Sequence, residues 1–371
     1  MASPDEITIA LLGDAMLGRG IDQILPHPSD PQLYERYVRS AKDYVALAQR
    51  VSGAIEAPIG FDDLWGDAIA ELGKQAAAIR IMNLETSITT SQTPADKDVL
   101  YRMHPANAGC LQALAVDCCV LSNNHALDWG RTGLRETLHA LDADGIAHAG
   151  AGNDASEAAA PAILAVALSV RVLVFGFGLT DSGIPEHWRA RANTHGVELL
   201  EPSATTVARI AQRVRERRQP GDVLVASLHW GGNWGYRIEP WQRELAHALV
   251  DDAGFDLVHG HSSHHAKGIE IYRDRLILYG CGDFINDYEG IHGYAAYRGD
   301  LAVAYLARCR VADGALMALT LRPYRIRRLR LQRADAADRE ALRSILDWQS
   351  APLGTRVTLD ARGELIAHAS S

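Results

Sequence analysis

Short apolar runs alternate with helix-like segments along most of this sequence, and this alternation limits its fold more than any other feature. The apolar runs lie at residues 7–12, 79–84, 118–122, 223–229 and 257–259. Helical patterns lie at residues 31–51, 132–144, 205–217 and 240–253. Strands and helices that alternate in this way form parallel sheets covered by helices. Closely spaced strand-like runs after residue 269 add antiparallel pairing, so the sequence predicts an α/β fold of two packed sheets with helices outside.

The length of 371 residues allows two domains or one large α/β unit. No internal repeat and no linker rich in Pro, Gly or Ser divides the chain. We therefore predict a single domain, in which residues 1–331 form the main body and residues 332–371 add a C-terminal helix and strand. Apolar residues make up 47% of the chain and charged residues 22%, and this composition excludes a disordered or fibrous protein.

Charge, N-terminal sequence and cysteine content indicate the expected compartment. The formal net charge of -9 gives no general attraction for nucleic acid. The N-terminus opens with Asp5 and Glu6 instead of the cationic and then apolar segment of a signal peptide. The 5 cysteines form no CxxC pair and are odd in number, which indicates neither a disulfide framework nor a thiolate zinc site. We expect a cytoplasmic protein with no membrane or nucleic-acid partner.

Acidic, amide and histidine side chains follow directly after five of the apolar runs. They are Asp14, Glu85, the segment Asn123-Asn124-His125, His229, and the segment 261–265 with Asp283 a little later. One such residue alone is more often a helix cap or a core histidine than a ligand. Because ligands bind beyond the carboxyl ends of strands in open α/β sheets, we expect these side chains to converge. Asp, Glu, Asn and His without thiolates suit a hard or borderline divalent cation, so the sequence predicts a metal centre.

Five motifs occur in a fixed order along the chain: GDAMLGRG, NLETSIT, SNNHALDWG, HWGGNW and GHSSHHAKGIEIYRDRLILYGCGDFIND. Together they resemble the CapA family, which is named for bacterial poly-γ-glutamate capsule synthesis proteins and is similar to calcineurin-like metallophosphoesterases. The resemblance spans roughly residues 7–287. It implies an α/β fold of the calcineurin-like type, a four-layer α/β/β/α sandwich with a metal site at the strand ends.

The resemblance also implies roles for individual residues. The implied metal ligands are Asp14, Glu85, Asn124, His229 and His261. His125 is the implied catalytic histidine beside them. Glu85 stands where the phosphoesterases have an Asp between two metals, and His261 and His264 are spaced His-x-x-His instead of His-x-His, so one metal ion and two metal ions both remain open. A hard ion such as Ca²⁺, Mg²⁺ or Mn²⁺ is expected, with Zn²⁺ and Fe as alternatives.

The missing N-terminal membrane anchor leads us to expect a role other than membrane-bound capsule synthesis. Members of the family that look like this chain include lasso-peptide epimerases, which invert the C-terminal residue of a precursor peptide. The first hypothesis is therefore a metal-dependent epimerase, whose substrate is a peptide with a free C-terminal carboxylate. Such an enzyme removes a Cα proton and returns it from the opposite face, which requires two acid–base groups and a way to stabilise enolate charge.

Several side chains are candidates for these roles. The predicted catalytic residues are Asp14, His125, His264 and Asp283, with His265 as an alternative to His264 and Asp128 as a further carboxylate partner. The predicted substrate-binding residues are Arg19, Arg102, Trp230 and Trp234. A guanidinium group binds a terminal carboxylate through two parallel hydrogen bonds, and aromatic rings form the walls of side-chain pockets. Either arginine can instead make a structural ion pair.

Two other functional classes use the same residues. The first is a metallohydrolase of phosphoester or amide bonds, with His125 as the general acid. The second is a protein of poly-γ-glutamate or capsule biosynthesis that binds metal or polymer without turnover. Exchange of the Cα proton for deuterium separates an epimerase from a hydrolase, and turnover separates both from a binding protein.

Overall fold

The computed structural model describes residues 4–74, 77–167 and 169–370. Residues 1–3 and 371, which belong to the predicted domain division, lie outside the described residues. The strands in the described residues are β1 (Glu6–Ala15), β2 (Ile79–Leu84), β3 (Ser87–Ile88), β4 (Arg102–Met103), β5 (Cys118–Val120), β6 (Ala147–Ala149), β7 (Ala151–Gly152), β8 (Ala162–Ala167), β9 (Val170–Gly178), β10 (Gly196–Val197), β11 (Asp222–His229), β12 (Leu257–His261), β13 (Ile269–Tyr272), β14 (Arg275–Leu278), β15 (Asp283–Ile285), β16 (Leu301–Arg310), β17 (Leu316–Arg327), β18 (Arg330–Arg333), β19 (Thr355–Leu359) and β20 (Leu365–Ala369). The α-helices there are α1 (Arg19–Ile24), α2 (Ala41–Ser52), α3 (Phe61–Trp65), α4 (Asp67–Lys74), α5 (Gly109–Ala113), α6 (Gly130–Ala143), α7 (Ala155–Ala158), α8 (Ala204–Arg217), α9 (Pro240–Asp251) and α10 (Ala336–Ser350).

Two large sheets contain most of the strands. The ten-stranded sheet has the order β19-β20-β17-β16-β1-β2-β5-β6, with β15 also paired to β1 and β18 to β17. Strands β1, β2, β5 and β6 are parallel, whereas β16, β17, β20 and β19 pair antiparallel. The six-stranded sheet has the order β13-β14-β12-β11-β9-β8 and is parallel from β14 to β9. The alternating part of the sequence therefore supplies most of the parallel strands.

Apolar side chains from both sheets form the core between them. Alternate residues of a strand point to opposite faces of its sheet. In β1, Ile9 and Leu11 belong to one buried cluster with Val172 and Val174 of β9. Because β1 and β9 lie in different sheets, this cluster is the layer where the two sheets pack face to face.

Helices cover the outer face of each sheet. Leu12 of β1 belongs to a second buried cluster together with Trp65 of α3 and Leu134 of α6. Phe175 of β9 belongs to a third buried cluster together with Leu249 of α9. One cluster lies between the two sheets, and each of the other two lies between a sheet and the helices that cover it. This arrangement confirms the four-layer α/β/β/α sandwich.

The helix predicted at residues 31–51 is wrong in its first half. Helix α2 begins only at Ala41, because the Ser40 side chain accepts a hydrogen bond from the Lys42 backbone N–H and caps the helix there. The preceding residues form a loop closed by a hydrogen bond from the Ala41 N–H to the Pro31 carbonyl (2.7 Å). This loop carries the buried Glu35 side chain towards the functional site.

The carboxyl ends of β1 and β2 and the first residue of β15 place three polar residues side by side. In the parallel pairings, Asp14 of β1 lies opposite Asn83 of β2 and opposite Asp283 of β15. Gly13 allows the close approach, because a Cβ atom at this position would lie 1.8 Å from the Gly282 carbonyl oxygen. The register thus brings the first and the last acid of the predicted centre together.

The C-terminal segment packs against the same sandwich. Leu342 and Leu346 of α10 belong to the cluster between the sheets, and β19 and β20 extend the ten-stranded sheet. The division between residues 331 and 332 stays a prediction. Helix α10 has 15 residues, and no helix in the described part of the chain has the length and apolarity that crossing a membrane requires. The cytoplasmic location also stays a prediction.

We expect Leu346→Ala to lower the free energy of unfolding by about 2–5 kcal/mol, because the lost side chain leaves a cavity between the sheets. Urea denaturation followed by circular dichroism measures the change. Ser344→Ala, on the exposed side of the same helix, is the matched control and should change the free energy by no more than about 0.5 kcal/mol. Equal effects of the two substitutions would contradict the role of α10 in the core.

Candidate metal centre

Asp14, the acid near the end of β1, lies at the middle of the strand-end cluster. Its buried carboxylate accepts a hydrogen bond from Nδ2 of Asn83 (2.7 Å) and another from the backbone N–H of Ser262 (3.1 Å). Ser262 has a φ of +93°, which is a strained conformation for a residue with a side chain. These two hydrogen bonds hold the carboxylate in one orientation.

Two groups of potential metal ligands share Asp14. The first group is Asp14, His229 and His261, and the second is Asp14, His264 and Asp283. Within each group the potential ligand atoms all lie within 4.8 Å of one another, and every member is buried. Two neighbouring cations that share a carboxylate require this arrangement, and a single cation in either group is equally compatible with it.

Glu85 and Asn124 lie at the edge of these groups. Oε1 of Glu85 lies 3.7 Å from Nε2 of His125, whereas its buried Oε2 has no hydrogen-bond partner among the described residues. Oδ1 of Asn124 lies 3.1 Å from Nε2 of His229. A buried carboxylate oxygen without a partner costs free energy, and a bound cation would offset that cost. The donor set therefore fits a divalent cation.

Buried negative charge dominates the electrostatics of the cluster. Burial, followed by the Asp283 carboxylate, raises the pKa of Asp14 to about 7. Burial and the carboxylates of Asp14 and Asp283 raise the pKa of Glu85 well above its ordinary value. Carboxyl groups this close resist ionising together, and a divalent cation among them would remove the repulsion.

His125 stands beside the potential ligands, and a carboxylate holds one of its ring nitrogens. Its Nδ1 lies 2.5 Å from Oδ2 of Asp128, and the Lys97 ammonium donates to Oδ1 of that carboxylate (2.8 Å). The Tyr101 ring packs edge-on against the imidazole, with ring centroids 4.7 Å apart. Burial lowers the pKa of His125 to about 4, although the Asp128 carboxylate opposes this shift. With Nδ1–H donating to Asp128, Nε2 faces Glu85 and can take or return a proton.

His264 forms a second histidine–carboxylate pair. Its Nδ1 lies 2.9 Å from Oδ1 of Asp283, and its Nε2 lies 3.0 Å from Nδ2 of Asn233 and 3.3 Å from the Tyr288 hydroxyl. Burial lowers the pKa of His264, but the charge and hydrogen bond of Asp283 together with the charge of Asp14 outweigh burial, and the net pKa is raised. Both ring nitrogens of His265 instead bond to backbone atoms, so of these two adjacent histidines His264 belongs to the cluster.

The Arg19 guanidinium makes its hydrogen bonds to side chains of the protein itself. It donates to both carboxylate oxygens of Asp287, to Oε1 of Glu35 (2.9 Å) and to the Tyr44 hydroxyl (3.0 Å). Its Cζ also lies 3.9 Å from the ring centroid of Tyr44 and 4.3 Å from that of Tyr101. Four of its five N–H groups therefore donate to side chains of the protein, which is the structural ion pair given above as the alternative, and a role of Arg19 in binding a substrate carboxylate stays a prediction.

Arg102 and Trp230 also make their contacts with other residues of the protein. The Arg102 guanidinium donates to the Ser91 carbonyl (3.0 Å) and lies over the Trp129 ring at 3.9 Å. Trp230 belongs to the cluster beneath the outer helices, where it stacks on Tyr279 and donates to the Tyr279 carbonyl (3.1 Å). Both side chains are buried with these partners, and their roles in substrate binding stay predictions.

A cavity of about 570 Å³ opens beside His264. Trp234 lines it and stacks on Tyr294, with ring centroids 4.1 Å apart. Part of α2 and residues 325–327 of β17 also line the cavity. Its lining exposes the apolar side chains of Val51, Val99, Ile291 and Tyr294. The structure therefore places Trp234, unlike Trp230, next to the cluster in an open pocket.

Comparison with known proteins identifies the family. Residues 8–288 match the family described as bacterial capsule synthesis protein PGA_cap. The chain belongs to this family. A probable polyglutamine synthesis accessory protein of Mycobacterium tuberculosis (strain H37Rv) is 47% identical over 358 residues, which cover 96% of this chain and 94% of that protein. The PGA biosynthesis protein CapA of Bacillus subtilis is 26% identical over 307 residues, which cover 82% of this chain and 68% of that protein.

These comparisons confirm the CapA resemblance and bear on the functional hypotheses. The two relatives are named for polyglutamine and PGA synthesis and not for epimerisation. The capsule and polymer alternative is therefore better supported than the peptide epimerase. The expectation of a role other than capsule synthesis, which was based on the N-terminal sequence, loses its support.

Three residues that complete the centre were given no role in the predicted site, although Asn83 stands in the same strand-end segment as Glu85. Asn83 holds Asp14, Lys97 donates to Asp128, and Asn233 contacts His264. Asn83 carried a usable signal, because it lies near the end of an apolar run and two residues before Glu85. Asn233 also carried a signal, because it lies in the motif HWGGNW four residues after His229, whereas Lys97 lies outside the helices, the strands and the five motifs.

We expect Mn²⁺ to raise the melting temperature more at about pH 8 than at about pH 5, because metal binding requires ionised ligands. Folding raises the pKa of Asp14 from 3.8 to about 7, so protonated Asp14 contributes to the stability of the metal-free protein at low pH. That stability is lost as the pH rises through the same interval and the buried carboxyl group ionises. A cation bound to the ionised carboxylate would restore the lost stability. Thermal melts with Mn²⁺ and with chelator at both pH values provide the test, and an equal Mn²⁺ effect at both would contradict it.

Proposed function

We propose that this protein is a metal-dependent enzyme that hydrolyses amide bonds of a glutamyl polymer during synthesis of that polymer. The observation that carries the proposal is the pair of ligand groups that share Asp14, with His125 and its carboxylate partner beside them. The names of the relatives, which refer to polyglutamine and PGA synthesis, support the choice of polymer. Metal-assisted hydrolysis is the reaction class that such ligand groups serve.

Five buried side chains would hold the metal. Asp14 with His229 and His261 would hold one ion, and Asp14 with His264 and Asp283 would hold a second. When bound, a divalent cation acts as a Lewis acid towards a carbonyl oxygen and lowers the pKa of water. Carboxylates favour Mg²⁺, Ca²⁺ and Mn²⁺ whereas imidazoles favour Zn²⁺ and Fe, so the mixed set of ligands is compatible with both groups of metals. Mn²⁺ is the ion used in the tests below.

His125 moves the proton that amide cleavage requires. Hydrolysis adds water across the C–N bond, so the departing nitrogen must gain a proton as that bond breaks. Nδ1–H of His125 donates to Asp128, which leaves Nε2 to accept a proton from water and to return it to the departing nitrogen. Burial raises the pKa of Asp128, but His125 and Lys97 outweigh burial and lower it, so the carboxylate stays ionised.

The cavity beside His264 would bind the polymer. The rings of Trp234 and Tyr294 and the apolar side chains around them suit the methylene groups of a glutamyl chain. Arg327 lines the same cavity, is exposed, and makes no ion pair with any described residue. Its guanidinium is therefore available for a carboxylate of the polymer.

One specific observation favours epimerisation as a second candidate function. The cluster contains two histidine–carboxylate pairs, His125 with Asp128 and His264 with Asp283. Removal and return of a Cα proton require two acid–base groups. The pKa of His125 is lowered and that of His264 is raised, which suits one group to accept a proton and the other to donate one. The substrate would then be a peptide with a free C-terminal carboxylate.

Loss of a ligand and loss of the proton carrier should give different results. We expect Glu85→Ala and Asn124→Ala to lower the metal content, because each removes an oxygen donor beside the ligand groups. We expect His125→Ala to keep the metal and to lower turnover about 100-fold or more, because general acid–base catalysis contributes at least that much. Elemental analysis and steady-state rates measure both effects. His139→Ala, on the exposed side of α6, is the control, and loss of metal from His125→Ala would reassign His125 as a ligand.

Defined polymers in D₂O test the reaction itself. The protein loaded with Mn²⁺ is incubated with poly-γ-glutamate or polyglutamine, and the products are examined by mass spectrometry. The proposal predicts shorter chains with new amino termini and no deuterium at Cα. Deuterium at Cα in chains of unchanged length would establish epimerisation instead. Binding of metal and polymer without either change would overturn the enzyme proposal and indicate a binding protein.

A further inference from the structure

A buried row of hydrogen bonds connects the ten-stranded sheet to His261. Nε2 of His259 lies 3.0 Å from the Leu12 carbonyl oxygen, and Nδ1 of His259 lies 2.9 Å from Oγ of Ser227. The same Oγ lies 3.0 Å from Nε2 of His261. Ser227 pairs with His259 in the register of β11 and β12, and all three side chains are buried. The row therefore satisfies both ring nitrogens of His259, the Ser227 hydroxyl and Nε2 of His261.

The backbone carbonyl at one end sets the direction of every hydrogen bond in this row. A carbonyl oxygen only accepts, so Nε2 of His259 carries a hydrogen, and the neutral imidazole then accepts at Nδ1. The Ser227 hydroxyl donates to that Nδ1, and its oxygen accepts from Nε2–H of His261. Nδ1 of His261 is consequently left without a hydrogen.

Nδ1 of His261, which carries no hydrogen, faces the other two members of the first ligand group, His229 and Asp14. It lies 2.8 Å from Nδ1 of His229 and 3.8 Å from Oδ1 of Asp14. Nε2 of His229 donates to Oδ1 of Asn124, which only accepts, so Nδ1 of His229 is bare as well. Two nitrogen lone pairs at this separation repel each other, whereas a cation between them would bind both.

We propose that His259 and Ser227 are positioning residues that hold His261 in the Nε2–H tautomer, so that a divalent cation binds His261 through Nδ1. The inference rests on the proposed metal centre but not on the substrate or the reaction. A hydrogen bond to the distal nitrogen of a metal-binding histidine fixes the ring and its basicity, and its loss costs about 10–100-fold in metal affinity. Here the row ends at the Leu12 carbonyl of the ten-stranded sheet, so the packing of the two sheets orients His261 for metal binding.

Nuclear magnetic resonance of the metal-free protein measures the tautomer directly. Histidine labelled with ¹⁵N gives different long-range proton–nitrogen correlations for the two neutral tautomers, and the spectrum of His261→Ala assigns the signals of His261. The expected result is a hydrogen on Nε2 of His261 in the wild-type protein. A hydrogen on Nδ1 of His261 would overturn the proposal whatever the metal affinity.

Substitution of Ser227 tests the same row through Mn²⁺ affinity. Ser227→Ala removes the hydroxyl, so we expect a mixture of His261 tautomers and Mn²⁺ binding weakened about 10-fold or more at the site that His261→Ala abolishes. Ser227→Thr keeps the hydroxyl while changing the side-chain volume, and it should keep both the tautomer and the affinity. Electron paramagnetic resonance of free Mn²⁺ gives the dissociation constants, and thermal unfolding shows whether each variant is folded.

The outcomes separate this inference from the proposed function. Unchanged Mn²⁺ affinity and an unchanged tautomer in Ser227→Ala would overturn the positioning role. Failure of wild-type protein to bind Mn²⁺ would overturn the metal centre and the ligand role of His261 together. An inactive protein in the polymer assay overturns only the proposed reaction, because both measurements here are made without polymer. If Ser227→Ala does not fold, the tautomer of the wild-type protein decides.

Discussion

Burial of the Asp14 carboxylate where the ends of two sheets meet is the constraint on which the rest of the site depends. A carboxylate removed from water is costly unless it is hydrogen-bonded and paired with positive charge. Asn83 and the backbone N–H of Ser262 supply the hydrogen bonds, and Ser262 takes a strained φ of +93° at the position where it does so. A cation bound by the two potential ligand groups around Asp14 would supply the positive charge.

The two histidine–carboxylate pairs are chemically alike but are placed in different surroundings. The Lys97 ammonium next to Asp128 adds to burial in lowering the pKa of His125. Near His264 the charged neighbours are mainly carboxylates, and the net effect raises its pKa. The two imidazoles therefore differ in the protonation state they favour, and they are not interchangeable in proton transfer. This asymmetry is available to a hydrolase and to an epimerase, which is why the reaction has to be decided by product analysis.

Much of the fold and part of the site could be predicted, because both depend on local properties of the chain. Alternating strand and helix patterns predict parallel strands covered by helices, and they need no knowledge of long-range contacts. Polar residues at strand ends converge in any such fold, so Asp14, Glu85 and His229 were identifiable as candidate ligands. The order of the motifs added the family, which the match over residues 8–288 confirms.

The sequence by itself determined the layers of the sandwich and the residue types at its strand ends, whereas only the tertiary structure decided which side chains are free to act. His264 and His265 are adjacent and chemically identical, but only His264 points into the cluster, because the backbone turns them towards different partners. Arg19 looks in sequence like a clamp for a substrate carboxylate, yet Asp287 occupies it from 268 positions away. Such pairings depend on how strands and loops distant in sequence pack together, and no local pattern records them.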